Sequence, residues 1–407
     1  MPDLRVASSD KTKTVMSRKG QFFDYTLLVV IIFLIIFGLI MVYSTSVYTG
    51  IKDGDPAKYF KKQLFSTAVA LVPFLFAVFV NYHFWYKFKW VIYIGSLCSI
   101  LLVKVLGAGD INGANRWLRI GGLSLQPAEI VKLGLIITLA AFVAYSGNKM
   151  KNVMNNLVFL GLTAIPALLA LVITNHLSTA IILVAIAYVM ILIANHKPWP
   201  YFLATAVVAV LGVLLVAYIF NNPGGGGFRF DRILAWKNPE AYASETGFQT
   251  IQSMYAIGSG GLFGKGLGQS MQKLGFIPEA HNDMVFAVIC EELGLFGGIC
   301  LIILFIVLIW RLMIIANNAP DLFGSMLVVG VMAHIAVQLV LNIAVVTNSI
   351  PNTGISLPFI SYGGSSVIFL LTEMGIVLGV SRQIQVPVSV KHRPANKRPV
   401  RRQEADY

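Results

Sequence analysis

The side chains best suited to chemistry fall in one stretch, Pro278 to Gly294, where a polar, glycine-rich segment gives way to a strongly apolar run. Glu279, His281 and Asp283 alternate there, so in extended backbone they share a face, and they fall where a membrane span should begin. Carboxylates at such an edge could take part in catalysis or bind a hard cation. They could also do neither, as a cap or a loop hydrogen-bond set. Asp283 is well placed as an N-cap, where its charge also suits the helix dipole. Glu291 and Glu292 lie about 12 Å deeper at 1.5 Å per residue, and ionisable groups inside a span are costly enough to be functional candidates.

Four further groups carry chemical potential. Gly258–Ser270 is glycine-rich but lacks P-loop spacing: Ser259 stands five residues before Gly264, and Lys265 is followed by Gly266. It reads as a turn, or as backbone amides that bring Lys265 or Lys273 near a phosphate. Gln126-Pro127-Ala128-Glu129 has the form of a helix start, and Glu129 and Lys132 are spaced to pair. His334, Gln338 and Asn342 form one polar stripe at i, i+4 and i+8, which bonds neighbouring helices or lines a cavity. Arg116, Arg229 and Arg232 stand near the outer bilayer surface, placed to snorkel to headgroups or to hold a lipid pyrophosphate.

The elements that must position these residues are membrane spans. The chain is 57% apolar and 12% charged, and apolar runs of span length recur from end to end. This predicts an all-α polytopic membrane protein with ten spans, near 25–48, 62–80, 89–106, 128–146, 156–173, 177–194, 200–220, 284–311, 322–348 and 365–382. The first run is too long for a signal-peptide core and has no cleavage site, so it is expected to be retained. An even number of spans puts both termini on one side, and the basic tails assign that side to the cytoplasm. The organisation expected is a basic N-terminal segment (1–24), a ten-span domain (25–382) with a large extracytoplasmic loop (221–283), and a basic, disordered cytoplasmic tail (383–407). Phe248, Ile251 and Tyr255 suggest a short amphipathic helix on the membrane surface within that loop. The net charge of +13 is concentrated in the tails and points to membrane lipids as partners. No nucleic-acid-binding motif accompanies it. Cys98, Cys290 and Cys300 suit neither a zinc site nor a disulfide framework.

Taken together, five stretches resemble the SEDS family of peptidoglycan glycosyltransferases, the FtsW, RodA and SpoVE group. They are Ala114-Asn115-Arg116-Trp117 with Gln126-Pro127-Ala128-Glu129, Phe228-Arg229-Phe230-Asp231-Arg232, Gly247–Ser253, Gly258–Gly294, and Leu357–Ser366. Within that group, Gly266–Leu274 followed by Pro278-Glu279-Ala280-His281 is most similar to the division-type FtsW branch. The resemblance implies polymerisation of lipid II at the outer face of the bacterial cytoplasmic membrane, for septal wall synthesis. Undecaprenyl-pyrophosphate-linked glycan is the implied donor. It implies Asp283 as the catalytic residue, either general base or ligand of a divalent cation such as Mg or Mn, with no organic cofactor. Arg116, Trp117, Lys132, Arg229, Arg232, Lys273, Glu279, His281 and Ser361 are the substrate-binding residues expected with it. The implied partners are a class B penicillin-binding transpeptidase and other division proteins. A lipid II flippase and a non-catalytic scaffold are the competing readings. Two positions depart from the family pattern: His176 stands where the family carries an acid, and Glu373 lies deep in the tenth span.

Overall fold

The computed structural model describes residues 19–106, 117–120, 123–195, 199–221, 228–242 and 247–387. Among them, ten helices are long and apolar enough to cross a membrane. Seven come first: α1 (Tyr25–Lys52), α2 (Lys58–Phe79), α3 (His83–Leu106), α4 (Pro127–Ser146), α5 (Val153–Val172), α6 (Leu177–Ala194) and α7 (Trp199–Asn221). Two shorter helices follow, α8 (Phe228–Lys237) and α9 (Phe248–Gly260). The last three spans are α10 (Val285–Asn318), α11 (Leu322–Val346) and α12 (Gly364–Arg382). Strand β1 (Lys19–Gln21) pairs antiparallel with β4 (Gln385–Pro387), and β2 (Leu118–Ile120) with β3 (Leu123–Leu125). The first residues of the tail expected to be disordered are therefore ordered, because the β1 backbone supplies partners for theirs.

The ten expected spans are all present, and several helices run past their expected ends. α2 and α3 begin four and six residues earlier than hydropathy suggests, and α10 continues to Asn318. Hydropathy stops at the first charges, whereas a helix continues wherever long side chains can shield or reach past the apolar zone. At the start of α3 the Lys89 ammonium lies 3.8 Å from the Tyr86 ring centre.

Two polar clusters mark the hydrocarbon zone. Buried Asp24 caps α1, accepting from the Leu27 amide at 2.9 Å, and binds Arg311 of α10 with Nη2 at 2.7 Å. At the other end, Ser44 of α1 donates to Glu292 of α10 at 2.7 Å. Nineteen residues separate Tyr25 from Ser44 and, likewise, Glu292 from Arg311. That is about 28 Å of helix, close to the roughly 30 Å thickness of a bilayer's apolar core. On that spacing Glu292 falls at the outer edge of the apolar zone, within the first turns of α10.

α4, α11 and α12 form the buried centre, while α7 is exposed along nearly its whole length. α12 packs closest on α2. A Cβ on Gly375 would stand 2.5 Å from the Phe74 carbonyl, so only glycine permits this backbone approach.

Candidate active site

Asp283 lies one residue before the Met284 cap of α10 and does not itself cap the helix, since no side chain bonds the first-turn amides. Its carboxylate is held from elsewhere. Gln249 of α9 donates from Nε2 to Asp283 Oδ1 at 3.2 Å and is itself oriented by Asn352, whose Nδ2 donates to Gln249 Oε1 at 2.9 Å. The Asn352 carbonyl accepts from Arg232 Nη1 of α8 at 3.0 Å. Below, Asn342 of α11 donates to the Asp283 carbonyl at 2.8 Å and to the Ile355 carbonyl at 2.7 Å. The segment between α11 and α12 is thus laced across the start of α10 by short polar side chains.

This environment sets the carboxyl's acidity. Burial pushes the Asp283 carboxyl up to about 7, and the Glu279 charge nearby adds to the rise. Arg232 and the Gln249 hydrogen bond pull the other way without cancelling it. Glu279 is exposed, held at φ 55° in the left-handed region, and accepts from the Asn282 side chain. His281 is buried. Its ring lies 4.9 Å from that of Tyr59 and 5.5 Å from that of Tyr362, and its carbonyl accepts from the Tyr362 amide at 2.8 Å. Burial holds this imidazole below its ordinary value, with Glu279 opposing.

A second carboxylate cluster is fully bonded. Glu291 accepts from Lys265 Nζ at 2.7 Å, from the Met271 amide at 3.1 Å, from the Gln272 amide at 3.3 Å, and from the Ser270 hydroxyl. Glu292 accepts from Lys273 Nζ at 2.6 Å. The glycine-rich segment is therefore a brace, and the amides just after it, of Met271 and Gln272, are filled by the protein's own carboxylate. α10 breaks at Gly294 (φ 72°). There the Lys265 and Gly266 amides bond the Glu291 and Glu292 carbonyls, and the Leu295 and Phe296 amides bond the Gly261 and Leu262 carbonyls.

The sequence-derived candidates divide accordingly. Arg232 and Glu279 act on Asp283, while the His281 ring packs on Tyr59 and Tyr362. Lys273 is buried against Glu292 and Ser44, and Lys132 against Glu129 at 2.7 Å. Ser361 is buried and closes a turn, its hydroxyl accepting from the Leu357 amide at 2.8 Å. Trp117 is half-buried just before β2. Arg116 lies outside the described residues, as does the Arg229 side chain, although α8 carries Arg229 beside Arg232. The stripe on α11 bonds neighbours: Gln338 donates to the Ser356 carbonyl at 3.0 Å, and His334 Nδ1 pairs with Glu373 Oε2 at 2.8 Å, which supplies the partner of the unexpected acid. His176 precedes α6, whose Ser178 hydroxyl reaches the Thr353 carbonyl beside the site. Gln249, Asn342 and Asn352 carry the orientation of Asp283. Only the Gly247–Ser253 motif and the α11 stripe signalled two of them in advance.

Comparison with known proteins follows the same outline. The profile of the cell cycle protein family FtsW/RodA/SpoVE matches residues 25–386. Stage V sporulation protein E of Bacillus subtilis (strain 168) is 38% identical over 372 residues, covering 90% of this chain and 99% of that protein. A probable peptidoglycan glycosyltransferase FtsW of Geobacter sp. (strain M18) is 34% identical over 371 residues, covering 90% and 99%. Among solved structures, a chain of a peptidoglycan synthase complex that coordinates polymerization and crosslinking superposes with TM-score 0.72 at 26% identity, covering 88% of this chain and 98% of that one. The rod shape determining protein RodA of Thermus thermophilus shares the fold with TM-score 0.65 at 24% identity, covering 89% and 97%. With a profile match spanning every described helix, the chain belongs to the FtsW/RodA/SpoVE family.

Proposed function

We propose that this protein is a peptidoglycan glycosyltransferase that polymerises lipid II, with Asp283 as general base. The observation that carries the reading is the half-buried Asp283 carboxyl, poised near neutrality just before α10, whose seven residue steps from Val285 to Glu292 span about 10 Å. A sugar tethered through pyrophosphate to a membrane-embedded chain presents its hydroxyls at that height. The ionised carboxylate takes the proton of the lipid II 4-hydroxyl as that oxygen bonds the anomeric carbon of the growing glycan. The bond from that carbon to undecaprenyl pyrophosphate breaks, and the pyrophosphate leaves with the electron pair. A base whose acidity lies near the working pH suits this transfer. Arg232, with Arg229 on the same helix and Arg116 two residues before β2 in the sequence, offsets the leaving charge.

Asp283 and Glu279 also fit a divalent cation. They are two oxygen donors whose mutual repulsion a cation would relieve, and Mg is commonly held by one or two carboxylates with water and substrate phosphate completing the shell. When bound, the ion would screen the departing pyrophosphate.

The family's description as cell cycle proteins supports a role in building wall during division, and the synthase-complex neighbour supports a crosslinking partner, here a class B penicillin-binding protein. The cytoplasmic membrane at the septum, with both termini inside, is the location this reading requires. Purified protein with that partner and fluorescent lipid II tests it. Glycan ladders that vanish in Asp283→Ala support polymerisation. Lipid movement across vesicles without ladders would replace it with a flippase.

A further inference from the structure

We infer that residues 261–263 form the tip of a re-entrant wedge inserted into the acyl chains of the outer leaflet, with 264–266 at its rim, so that part of the segment between α9 and α10 is a membrane anchor rather than an aqueous loop. Three observations place it there. The Ser44–Glu292–Lys273 cluster marks the outer edge of the apolar zone. The Gly261 and Leu262 carbonyls are bonded to the Leu295 and Phe296 amides, three and four residues below Glu292, hence about 5–6 Å deeper along the helix. The side chains at this depth are large, apolar and uncovered: Leu262 is 66% exposed, Phe263 79% and Phe296 63%, with the two phenylalanine rings 6.4 Å apart on one face.

Backbone chemistry explains how irregular chain can lie at that depth. Unpaired peptide groups are excluded from hydrocarbon. The amides of Gly264, Lys265 and Gly266 and the carbonyls of Gly260, Gly261 and Leu262 are all bonded, most of them to α10 groups freed by the break at Gly294. The break and the wedge satisfy each other. A Cβ on Gly264 would stand 2.2 Å from the Glu292 carbonyl, so the turn cannot rise away from α10 with a larger residue. α9 descends beside α10, from Gln249 near Asp283 to Gly260 against Cys290, and delivers the chain to this depth. The wedge fixes the height of the chain that returns from it to Asp283.

The test is nitroxide accessibility in vesicles of phosphatidylethanolamine and phosphatidylglycerol. Full-length protein carrying Cys98→Ser and Cys300→Ser, which removes the exposed thiols, is labelled at Phe263→Cys or, as a second site, Leu262→Cys. Asp55→Cys in the outer α1–α2 turn serves as the aqueous control and Ile303→Cys on α10 as the lipid control. Severalfold greater relaxation by oxygen relative to a water-soluble nickel chelate at 263 and 262 than at 55 is the expected result. A ratio equal to that at 55 would place the turn in water. Protection from both reagents would mean that protein covers it. Either outcome overturns the wedge, and neither depends on glycosyl transfer.

Discussion

Asp283 and Glu291 lie eight residues apart at the same end of α10, and their surroundings differ in kind. Glu291 accepts from a lysine, a serine hydroxyl and two backbone amides, and Glu292 beside it is held by Lys273 and Ser44. Among the described residues, Asp283 receives one bond from another side chain, at 3.2 Å, and it faces a second acid. A carboxylate saturated with donors is stable as a charge and serves packing. One that is buried and sparsely bonded is left with an affinity for protons, which is what a base requires.

The largest effect should come from Asp283→Asn. Losing a general base lowers the rate about 10²–10⁴-fold. Folding should be intact or improved, because an ionised carboxylate with a raised pKa opposes the folded state. A detergent-solubilised variant melting at or above wild type, without activity, is the expected pair of results. Glu292→Leu should do the reverse, costing about 3–5 kcal/mol of stability by leaving Lys273 buried and unpaired. Adding Lys273→Leu should restore much of that loss, and a double variant no more stable than Glu292→Leu would show that the pair is not what holds the brace.

Smaller effects sharpen the contrast within the Asp283 cluster. Glu279→Gln removes the like charge, so the acid limb of the rate profile should move to lower pH. Gln249→Leu removes a bond to the ionised form, so the limb should move to higher pH. Limbs unmoved in both variants would assign the titration to another group. Arg232→Lys should weaken lipid II use nearly as much as Arg232→Ala, since a fork that binds the Asn352 carbonyl and a phosphate together is not replaced by a point charge. Full activity with lysine would reduce its role to a generic charge.

The spans were legible because apolar runs of fixed length have few alternatives in a membrane. The catalytic candidate was legible from a family motif and its place at a span's edge. Three things were not. Glu291 and Glu292 read as costly charges within a span, because hydropathy does not show the Lys265, Ser270, Lys273 and Ser44 groups that satisfy them. The helix expected from Phe248, Ile251 and Tyr255 exists, but it descends along α10 instead of lying flat, since its partners are glycines and carbonyls with no periodic signature. The glycine-rich segment offered a phosphate cradle, and the anion it holds is Glu291, a pairing set by tertiary approach rather than spacing.

The dependence of kcat/KM on pH for glycan formation, with the crosslinking partner present, tests the central claim most directly. Asp283 must be ionised to accept the hydroxyl proton. The rate should therefore climb about tenfold per unit at low pH and level off above a break near 7. Asp283→Asn should leave a low rate without that break. A wild-type profile flat from pH 5 to 8, or an unchanged break in Asp283→Asn, would contradict the assignment of Asp283 as the base.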